Sequence, residues 1–276
     1  MNIIVLSTDT PHHRYFINKI SLKFNIIHVF FETKKLKKKY LTGPFLEKEH
    51  ELFENKFFEN ISSELNHNIT ICNDINEIEN VNILNELNPD LAISFGTGII
   101  KEHIFNIPKY GTINIHRGYI YEYRGLDSDL WAILNNEIHK IYITIHCVDE
   151  DLDTGKIISE KQLDLTPINN VYELRYWSTV LVTNMMIDVL NKYNNNNISF
   201  KIQKEKGKYY SAMKLEDKLK TIDLFKKYKN FLFLKNKYPI IIAEIGMNHE
   251  GDFNYCKKIL YQALETNVDI IKFQTY

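Results

Sequence analysis

An asparagine and a histidine lie two residues apart near the middle of the chain, in the stretch INIHRGYIYEYRG at residues 113–125. Residues i and i+2 of a strand project to the same face, so Asn114 and His116 would present an amide and an imidazole together where the strand opens into a loop. Such a pair alone is more often structural than catalytic. Further along, TIHCVDEDLDTG at residues 144–155 adds His146 and a carboxylate-rich turn. Together these groups are suited to stabilising a negative oxygen and removing a proton.

The elements that position these residues follow from the pattern of apolar residues. Runs typical of strands occur at residues 2–7, 25–31, 68–72, 91–95, 112–116 and 141–148. Stretches with helical spacing lie between the early ones, at residues 14–24, 46–64 and 75–88. This alternation predicts an α/β fold with a parallel-rich, helix-covered sheet. Ligands bind such sheets at the carboxyl ends of the strands, which is where we expect Asn114 and His116.

The rest of the chain divides into shorter regions. A helix is predicted at residues 171–192, and a short strand followed by a helix at 198–228. Residues 240–276 then start a new strand-helix-strand unit, which cannot bury both faces of its strands without neighbours. The predicted domains are a main domain at 1–197, a C-terminal extension at 198–236 and a separate fragment at 237–276.

Composition narrows the functional classes. The chain has 276 residues, a net charge of −1 and 44% hydrophobic residues, so it can bury a full core and does not favour a nucleic-acid partner. Its one basic cluster, at residues 34–39, is followed by an acidic segment and is expected to be solvated. Three widely spaced cysteines suit a reducing compartment. Neither a signal peptide nor an apolar run of roughly 18 residues is apparent, so a cytoplasmic protein without a membrane partner is expected.

The combination of NIH, YRG and IH-x-VDE-x-LDTG-x-I resembles the folate-dependent formyltransferases over about residues 1–215. That family includes glycinamide ribonucleotide transformylase, methionyl-tRNA formyltransferase and the sugar N-formyltransferases. The resemblance implies a Rossmann-like domain that transfers a formyl group from N10-formyltetrahydrofolate, its cosubstrate, to a primary amine. By position, the catalytic residues would be Asn114, His116 and Asp153. The residues expected to bind the folate are Ser94, Phe95, Gly96, Thr97, Gly98, Ile99, Ile100, Val148 and Asp149.

The chemistry of this trio can be argued from the side chains. Attack of a neutral amine on a formyl carbon gives a tetrahedral centre with a negative oxygen and a positive nitrogen, so the site needs hydrogen-bond donors and a proton acceptor. Asn114 and a charged His116 can donate to the oxygen. Asp153 can keep His116 protonated and help to remove the amine proton. No metal is required.

The acceptor side departs from the common family pattern. Between the histidine and YRG the chain has RGYIYE, with Arg117, Tyr119 and Tyr121, where most relatives carry serine, leucine and proline. The substrate therefore cannot be inherited from this segment. A second candidate acceptor site is the turn after the first strand, STDTPHHRYF. Either this turn contacts a phosphate or carboxylate of the acceptor, or Thr10 only caps the helix that follows it. The predicted acceptor-binding residues are Thr10, His12, His13, Arg14, Arg117, Tyr119, Tyr123 and Arg124.

Residues 240–276 resemble the beginning of the sialic acid synthases, in which the residues corresponding to Glu244 and Lys272 face the substrates. A barrel of that type needs about 250 residues, so the fragment would be an incomplete βαβ piece of a TIM barrel. We expect either a fusion cut short or an accessory segment. The association favours an amino sugar or sugar nucleotide as the acceptor, in nonulosonic acid or surface-glycan synthesis.

Three alternatives remain open. Methionyl-tRNA formyltransferase shares the trio but adds a C-terminal barrel, which residues 216–276 do not resemble. Formyltetrahydrofolate deformylase uses water as acceptor and carries an N-terminal domain, whereas this chain starts at its first strand. A non-catalytic folate- or sugar-binding module would keep the fold without turnover. A homodimer is also open, because relatives with short C-terminal segments often pair.

Overall fold

A computed structural model of the protein describes residues 1–34, 40–42, 47–58, 65–237, 241–246, 251–266 and 268–273. It divides into two compact units, Met1–Phe225 and Lys226–Tyr276, which are treated separately below. Most of the basic cluster at 34–39, the end of the helix predicted at 46–64 and the turn at 247–250 lie outside the described residues. The three-part division into 1–197, 198–236 and 237–276 stays a prediction.

The strands of the described chain agree closely with the apolar runs. They are β1 (Asn2–Ser7), β2 (Asn25–Glu32), β3 (Ile69–Cys72), β4 (Leu91–Phe95), β5 (Thr112–His116), β6 (Tyr123–Gly125), β7 (Tyr142–Cys147), β8 (Ile157–Gln162), β9 (Lys208–Tyr210), β10 (Ile242–Ile245) and β11 (Ile270–Phe273). The six strands predicted between residues 2 and 148 are confirmed, whereas β6 and β8 were not predicted.

The helices are α1 (Pro11–Ser21), α2 (Glu47–Phe58), α3 (Ile78–Leu87), α4 (Glu102–Phe105), α5 (Ser128–Leu134), α6 (Leu174–Asn194), α7 (Leu215–Lys237) and α8 (Phe253–Glu265). The predicted helices at 14–24, 75–88 and 171–192 are confirmed with small shifts at their ends. Among the described residues, none of these helices combines the length and apolarity that crossing a membrane requires.

A seven-stranded sheet in the order β3-β2-β1-β4-β5-β7-β8 forms the centre of the first unit. Pairing is parallel from β3 to β5, whereas β5–β7 and β7–β8 are antiparallel. The sheet is thus parallel-rich and Rossmann-like. The antiparallel direction of β7 was not anticipated, because an apolar run shows that a strand exists but not which way it is paired.

The core lies on both faces of this sheet. Alternate residues of β1 belong to different clusters: Ile3 and Val5 pack with α1 and α6 residues, whereas Ile4 and Leu6 pack with α3 and α4 residues. Because both faces are covered, the strand is apolar throughout instead of alternating. The ends of β4 and β5 are therefore held rigidly, and the loops that follow them form the site.

The second unit contains the predicted strand-helix-strand arrangement. β10 and β11 are parallel, and their register places Glu244 opposite Lys272, whose Nζ donates to Glu244 Oε1 at 3.1 Å. Helix α8 begins after Asp252, whose Oδ1 accepts hydrogen bonds from the backbone N–H groups of Asn254 and Tyr255. The relation of this unit to a synthase barrel stays a prediction.

Candidate active site

Asn114 and His116 lie on β5, and the antiparallel neighbour β7 brings His146 to them. The strand register pairs Asn114 directly with His146 and His116 with Thr144. Across the pair, the Nδ2 of Asn114 lies 3.1 Å from the Nε2 of His146. His116 and His146 are both buried. An amide and two imidazoles are therefore held side by side at the end of the sheet.

Asp153 completes this group from the loop between β7 and β8. Its Oδ2 accepts the backbone N–H of Gly125 at 2.8 Å and lies 3.5 Å from His116 Nδ1, whereas its Oδ1 lies 3.4 Å from His146 Nε2. The backbone of Asp153 has φ 54°, a left-handed conformation that costs energy in a residue other than glycine. The strained conformation of Asp153 directs its carboxylate towards His116 and His146.

Glycine is required where this loop approaches its neighbours. A Cβ on Gly155 would lie 1.8 Å from the carbonyl oxygen of Cys147, and one on Gly125, which has φ 95°, would lie 2.2 Å from the carbonyl oxygen of Tyr210. These two close approaches hold the turn that carries Asp153 and the N–H that binds its carboxylate. Gly155, the last residue of LDTG, is therefore required by the close packing of the backbone.

The hydrogen-bond partners indicate where the protons lie. His116 Nε2 is 2.7 Å from the carbonyl oxygen of Tyr123, and His146 Nδ1 is 2.8 Å from that of Cys147. Carbonyl oxygens only accept, so each of these nitrogens carries a hydrogen. Nε2 of His146 faces both Asn114 Nδ2 and Asp153 Oδ1: in the protonated form it donates to Asp153, whereas in the neutral form it has a lone pair and accepts from the Asn114 amide. This contact orients Asn114 with one N–H towards His146 and leaves the second for a ligand.

The surroundings of Asp153 and His116 lower the pKa values of both groups. Burial alone would raise the pKa of the Asp153 carboxyl, but His116, His146 and the Gly125 N–H together hold it well below its usual range. Burial lowers the pKa of the His116 imidazole, although Asp153 acts in the opposite direction. Burial and Asp153 thus act on His116 in opposite directions, and the charged His116 expected from the sequence stays a prediction.

A cavity of about 540 Å³ opens onto this group. Asn114, His116, His146 and Asp153 line it together with every residue predicted to bind the folate: Ser94, Phe95, Gly96, Thr97, Gly98, Ile99, Ile100, Val148 and Asp149. Glu32 holds the first of these loops, since the backbone N–H of Gly98 donates to its Oε2 at 2.6 Å. The structure thus brings the predicted catalytic and donor-side residues to one place.

The predicted acceptor residues are not brought together. Of the eight, Arg117 lines the cavity, whereas Thr10, His12, His13, Arg14, Tyr119, Tyr123 and Arg124 do not. Arg14 forms a two-point ion pair with Asp9, in which Nη2 donates to Oδ2 at 2.8 Å. Tyr119 packs against the rings of Tyr121 and Tyr142.

The turn between β1 and α1 is largely occupied by its own contacts. His12 is buried with its Nδ1 3.3 Å from Glu54 Oε2, and His13 Nδ1 lies 3.0 Å from the carbonyl oxygen of Thr8. Thr10 precedes α1 but makes no side-chain cap to a backbone N–H. Its hydroxyl instead lies within hydrogen-bond distance of both histidine rings.

Tyr123 and Arg124 support the site from outside the cavity. The Tyr123 carbonyl binds His116, and its hydroxyl contacts Glu137 and accepts from Asn135 Nδ2 at 3.0 Å. Arg124 donates to the carbonyl oxygens of Gly207 at 2.7 Å and Leu152 at 3.0 Å. YRG therefore braces the histidine and the loop of Asp153.

Several cavity residues were not assigned from the sequence. His146 was noticed but given no role, and its position on the strand after Asn114 was the available clue. Asp127 and Asp129 follow YRG directly in the segment LDSD. Arg175 and Lys218 also line the cavity, but nothing in the local sequence connects them to it. Across the described ranges, the His, Cys, Asp and Glu side chains form no group of three or more suited to hold a metal ion.

Comparison with known proteins agrees with this architecture. Residues 23–211 match the family model described as formyl transferase. Methionyl-tRNA formyltransferase from Thermodesulfovibrio yellowstonii is 33% identical over 136 residues, which cover 49% of this chain and 44% of that protein. The chain spans about half the length of the curated relatives it matches.

Two solved structures share the fold. The 4-N formyltransferase from Francisella tularensis has a TM-score of 0.54 and 20% identity, covering 89% of this chain and 81% of that one. The sugar N-formyltransferase from Shewanella sp FDAARGOS_354 has a TM-score of 0.51 and 18% identity, covering 76% of each chain. At these identities the likeness describes the fold alone.

Proposed function

The chain belongs to the formyl transferase family, and on that premise we propose that it transfers a formyl group from N10-formyltetrahydrofolate to a primary amine. The observation that carries the proposal is the single cavity that joins Asn114, His116 and Asp153 to the predicted donor-binding loops. The combination supports an enzyme more than a binding module, because a binding site alone would not need a strained, buried carboxylate beside two histidines.

In the proposed reaction the amine nitrogen attacks the formyl carbon and the carbonyl becomes a negatively charged oxygen. The Asn114 N–H that faces the cavity donates to this oxygen. Neutral His116 takes up the proton that the amine loses, and the ionised Asp153, 3.5 Å from His116 Nδ1, stabilises the resulting imidazolium. The carbon–N10 bond then breaks, the proton passes to N10 and tetrahydrofolate leaves.

The folate is proposed to lie along residues 94–100 and 148–149, where main-chain groups are exposed at the ends of β4 and β7. Gly98 is suited to this loop because it has no side chain. A Cβ added at this position would lie 3.2 Å from Oε2 of Glu32, the group that holds the loop. Ile99 has 68% of its surface exposed beside the cavity and offers an apolar contact for a ring. N10-formyltetrahydrofolate is a cosubstrate in this scheme.

The acceptor is proposed to be an amino sugar or sugar nucleotide. This proposal is supported by the polar residues that line the cavity outside the donor loops, Arg117, Asp127, Asp129 and Lys218, and by the predicted resemblance of the second unit to a synthase. Methionyl-tRNA is the second candidate acceptor, because relatives named methionyl-tRNA formyltransferase are up to 33% identical over part of the chain. Water as acceptor and a non-catalytic module are the remaining alternatives.

Donor binding can be tested without knowing the acceptor. Calorimetric titration with 5-formyltetrahydrofolate, a stable analogue, should show micromolar binding to the full chain, retention in Asn114→Ala and loss in Gly98→Leu. Lys192→Ala, an exposed change on α6, is the control. A folded wild-type protein that does not bind the analogue would overturn the proposal.

The acceptor classes can then be compared in one assay. Formyl transfer from N10-formyltetrahydrofolate is measured with amino sugars and amino sugar nucleotides, with charged initiator tRNA and with water alone. We expect transfer to an amino sugar compound. Faster transfer to the tRNA would replace the proposed acceptor, and analogue binding without any turnover would favour the binding module.

A further inference from the structure

Among the residues that the structure describes, three cationic side chains line the cavity: Arg117, Arg175 and Lys218. Two of them already face carboxylates. Arg175 forms a two-point ion pair with the fully buried Glu54, in which Nη2 donates to Oε2 at 2.9 Å. Lys218 Nζ lies 3.3 Å from Asp127 Oδ2. Their charges are therefore largely compensated in the free protein.

Arg117 differs from both. Within the part of the chain that the structure describes, its guanidinium has neither an ion pair nor a hydrogen bond, and it lies 5.9 Å from the centroid of the Phe95 ring. The next residue back along the chain is the base His116. Arg117 lines the same cavity as His116, and its guanidinium lies near an aromatic ring with N–H donors that bind no acceptor among the described residues.

A guanidinium in this position is costly to leave uncompensated, because burying a charge without a partner is strongly unfavourable. Arg117 is partly buried, and burial lowers its pKa, with the charge of Asp129 the largest opposing influence. Asp129 does not reach it as an ion pair; its Oδ1 instead accepts the backbone N–H of Leu130 at 2.9 Å. Glu54 and Asp127 also act on Arg117 from a distance, but they pair with Arg175 and Lys218. A bound ligand can therefore supply oxygen atoms to the Arg117 fork.

We propose that Arg117 binds an anionic group, a phosphate or a carboxylate, of the amine acceptor. The proposal rests on formyl transfer as the function of the site and specifies the acceptor as an amine with a negative charge near the reacting nitrogen. Arginine suits this task since its fork matches phosphate and carboxylate oxygens two at a time. The neighbouring turn is less suited, because Arg14 is paired with Asp9 and His12 faces Glu54.

Anion binding is tested first with simple probes. Inorganic phosphate and acetate are titrated separately into the full chain and followed by calorimetry and by NMR line shifts. Arg117→Ala should bind the preferred anion at least about 10-fold more weakly, as expected for loss of charge-assisted hydrogen bonds. Arg117→Lys should be intermediate, because it keeps the charge but not the fork. Lys192→Ala is the matched removal of a distant exposed cation.

A second variant guards against misfolding of the first. Asp129→Asn removes a negative charge that faces the same end of the cavity and leaves Arg117 intact, so phosphate should bind more tightly by a few-fold. Stronger binding of phosphate than of acetate would identify a phosphate group, and the reverse a carboxylate. Equal affinity of wild type, Arg117→Ala and Asp129→Asn for both anions would overturn the proposal.

The acceptor assay separates this inference from the proposed function. Glucosamine 6-phosphate and glucosamine are compared as acceptors, and 5-formyltetrahydrofolate binding is measured alongside. A lower KM for the phosphate that disappears in Arg117→Ala supports the anion subsite. If the protein binds folate but Arg117→Ala binds the anions as tightly as wild type, the anion subsite is refuted and the formyl-transfer proposal stands. Arg117-dependent anion binding without folate binding supports the subsite and refutes formyl transfer.

Discussion

The Nε2 of His146 lies 3.1 Å from the Nδ2 of Asn114, across the antiparallel pairing of two adjacent strands. Since the other ring nitrogen of His146 faces the carbonyl oxygen of Cys147, a neutral His146 can only accept from Asn114. The contact therefore decides which way the Asn114 amide points. His146 acts through Asn114 as a positioning residue, and its role can be tested apart from that of the trio.

Replacing His146 with alanine should lower kcat for formyl transfer by about 10- to 100-fold, the range found when residues that support a catalytic group are removed. Affinity for 5-formyltetrahydrofolate should change little, because Asn114 is reoriented but not removed. His146→Gln, which can still accept at a similar position, should recover part of the rate. His139→Ala, an exposed histidine, is the control. An unchanged kcat in His146→Ala would exclude the positioning role.

Asn114→Ala removes the donor proposed for the developing oxyanion. We expect kcat to fall by about 100- to 1,000-fold while the analogue still binds. Pre-steady-state mixing, which separates chemistry from product release, is the appropriate measurement. A loss confined to KM would show that Asn114 contributes to binding and not to the transition state.

Asp153→Asn should reveal how the contribution of the buried Asp153 carboxylate to folding stability depends on pH. The folded-state pKa of Asp153 lies below its unfolded value, so its contribution to stability is present above about pH 4 and is lost as the pH falls below that value. Urea unfolding should show the variant less stable than wild type at pH 7, with the difference shrinking at pH 3. The exposed Asp188→Asn is the control; a gap that is the same at both pH values would contradict the expectation.

His13 should make stability fall on mild acidification. Burial, followed by the charges of His12 and Arg117, holds its pKa well below the usual value. The unfolded chain therefore binds a proton below about pH 6.5 that the folded chain does not, and stability is lost as the pH falls through this window. In His13→Gln the slope of unfolding free energy between pH 6.5 and 5 should decrease by up to about 1.4 kcal/mol per pH unit. His139→Gln should leave the slope unchanged.

Gly155→Ala should displace the loop that carries Asp153. The added Cβ would clash with the Cys147 carbonyl oxygen at 1.8 Å, so we expect destabilisation of about 2 kcal/mol or more and a loss of formyl transfer. Thr154→Ala, which removes only side-chain hydrogen bonds to Asp149 and Asp151 in the same turn, should cost less. Thermal unfolding and kcat for the two variants provide the comparison, and equal effects would count against the clash.

Much of the fold and part of the site could be predicted from local patterns. The apolar runs that became β1 and β4 are continuous because both faces of those strands are buried. The motifs NIH, YRG and LDTG carried the resemblance to the formyltransferases, and that resemblance implied the trio and the donor loops. These are properties of neighbours along the chain, and such properties are visible in a sequence.

What the sequence by itself determined is thus the type and order of the main elements and the residues able to carry the chemistry. The tertiary structure decided that β7 runs antiparallel, which places His146 against Asn114. It also decided that burial lowers the pKa of His116 and that Arg175 pairs with Glu54, 121 residues away, whereas Arg117, within the described residues, lies near the Phe95 ring without an ion pair. Strand direction, burial and long-range pairing depend on how distant segments pack, and no local pattern records that packing.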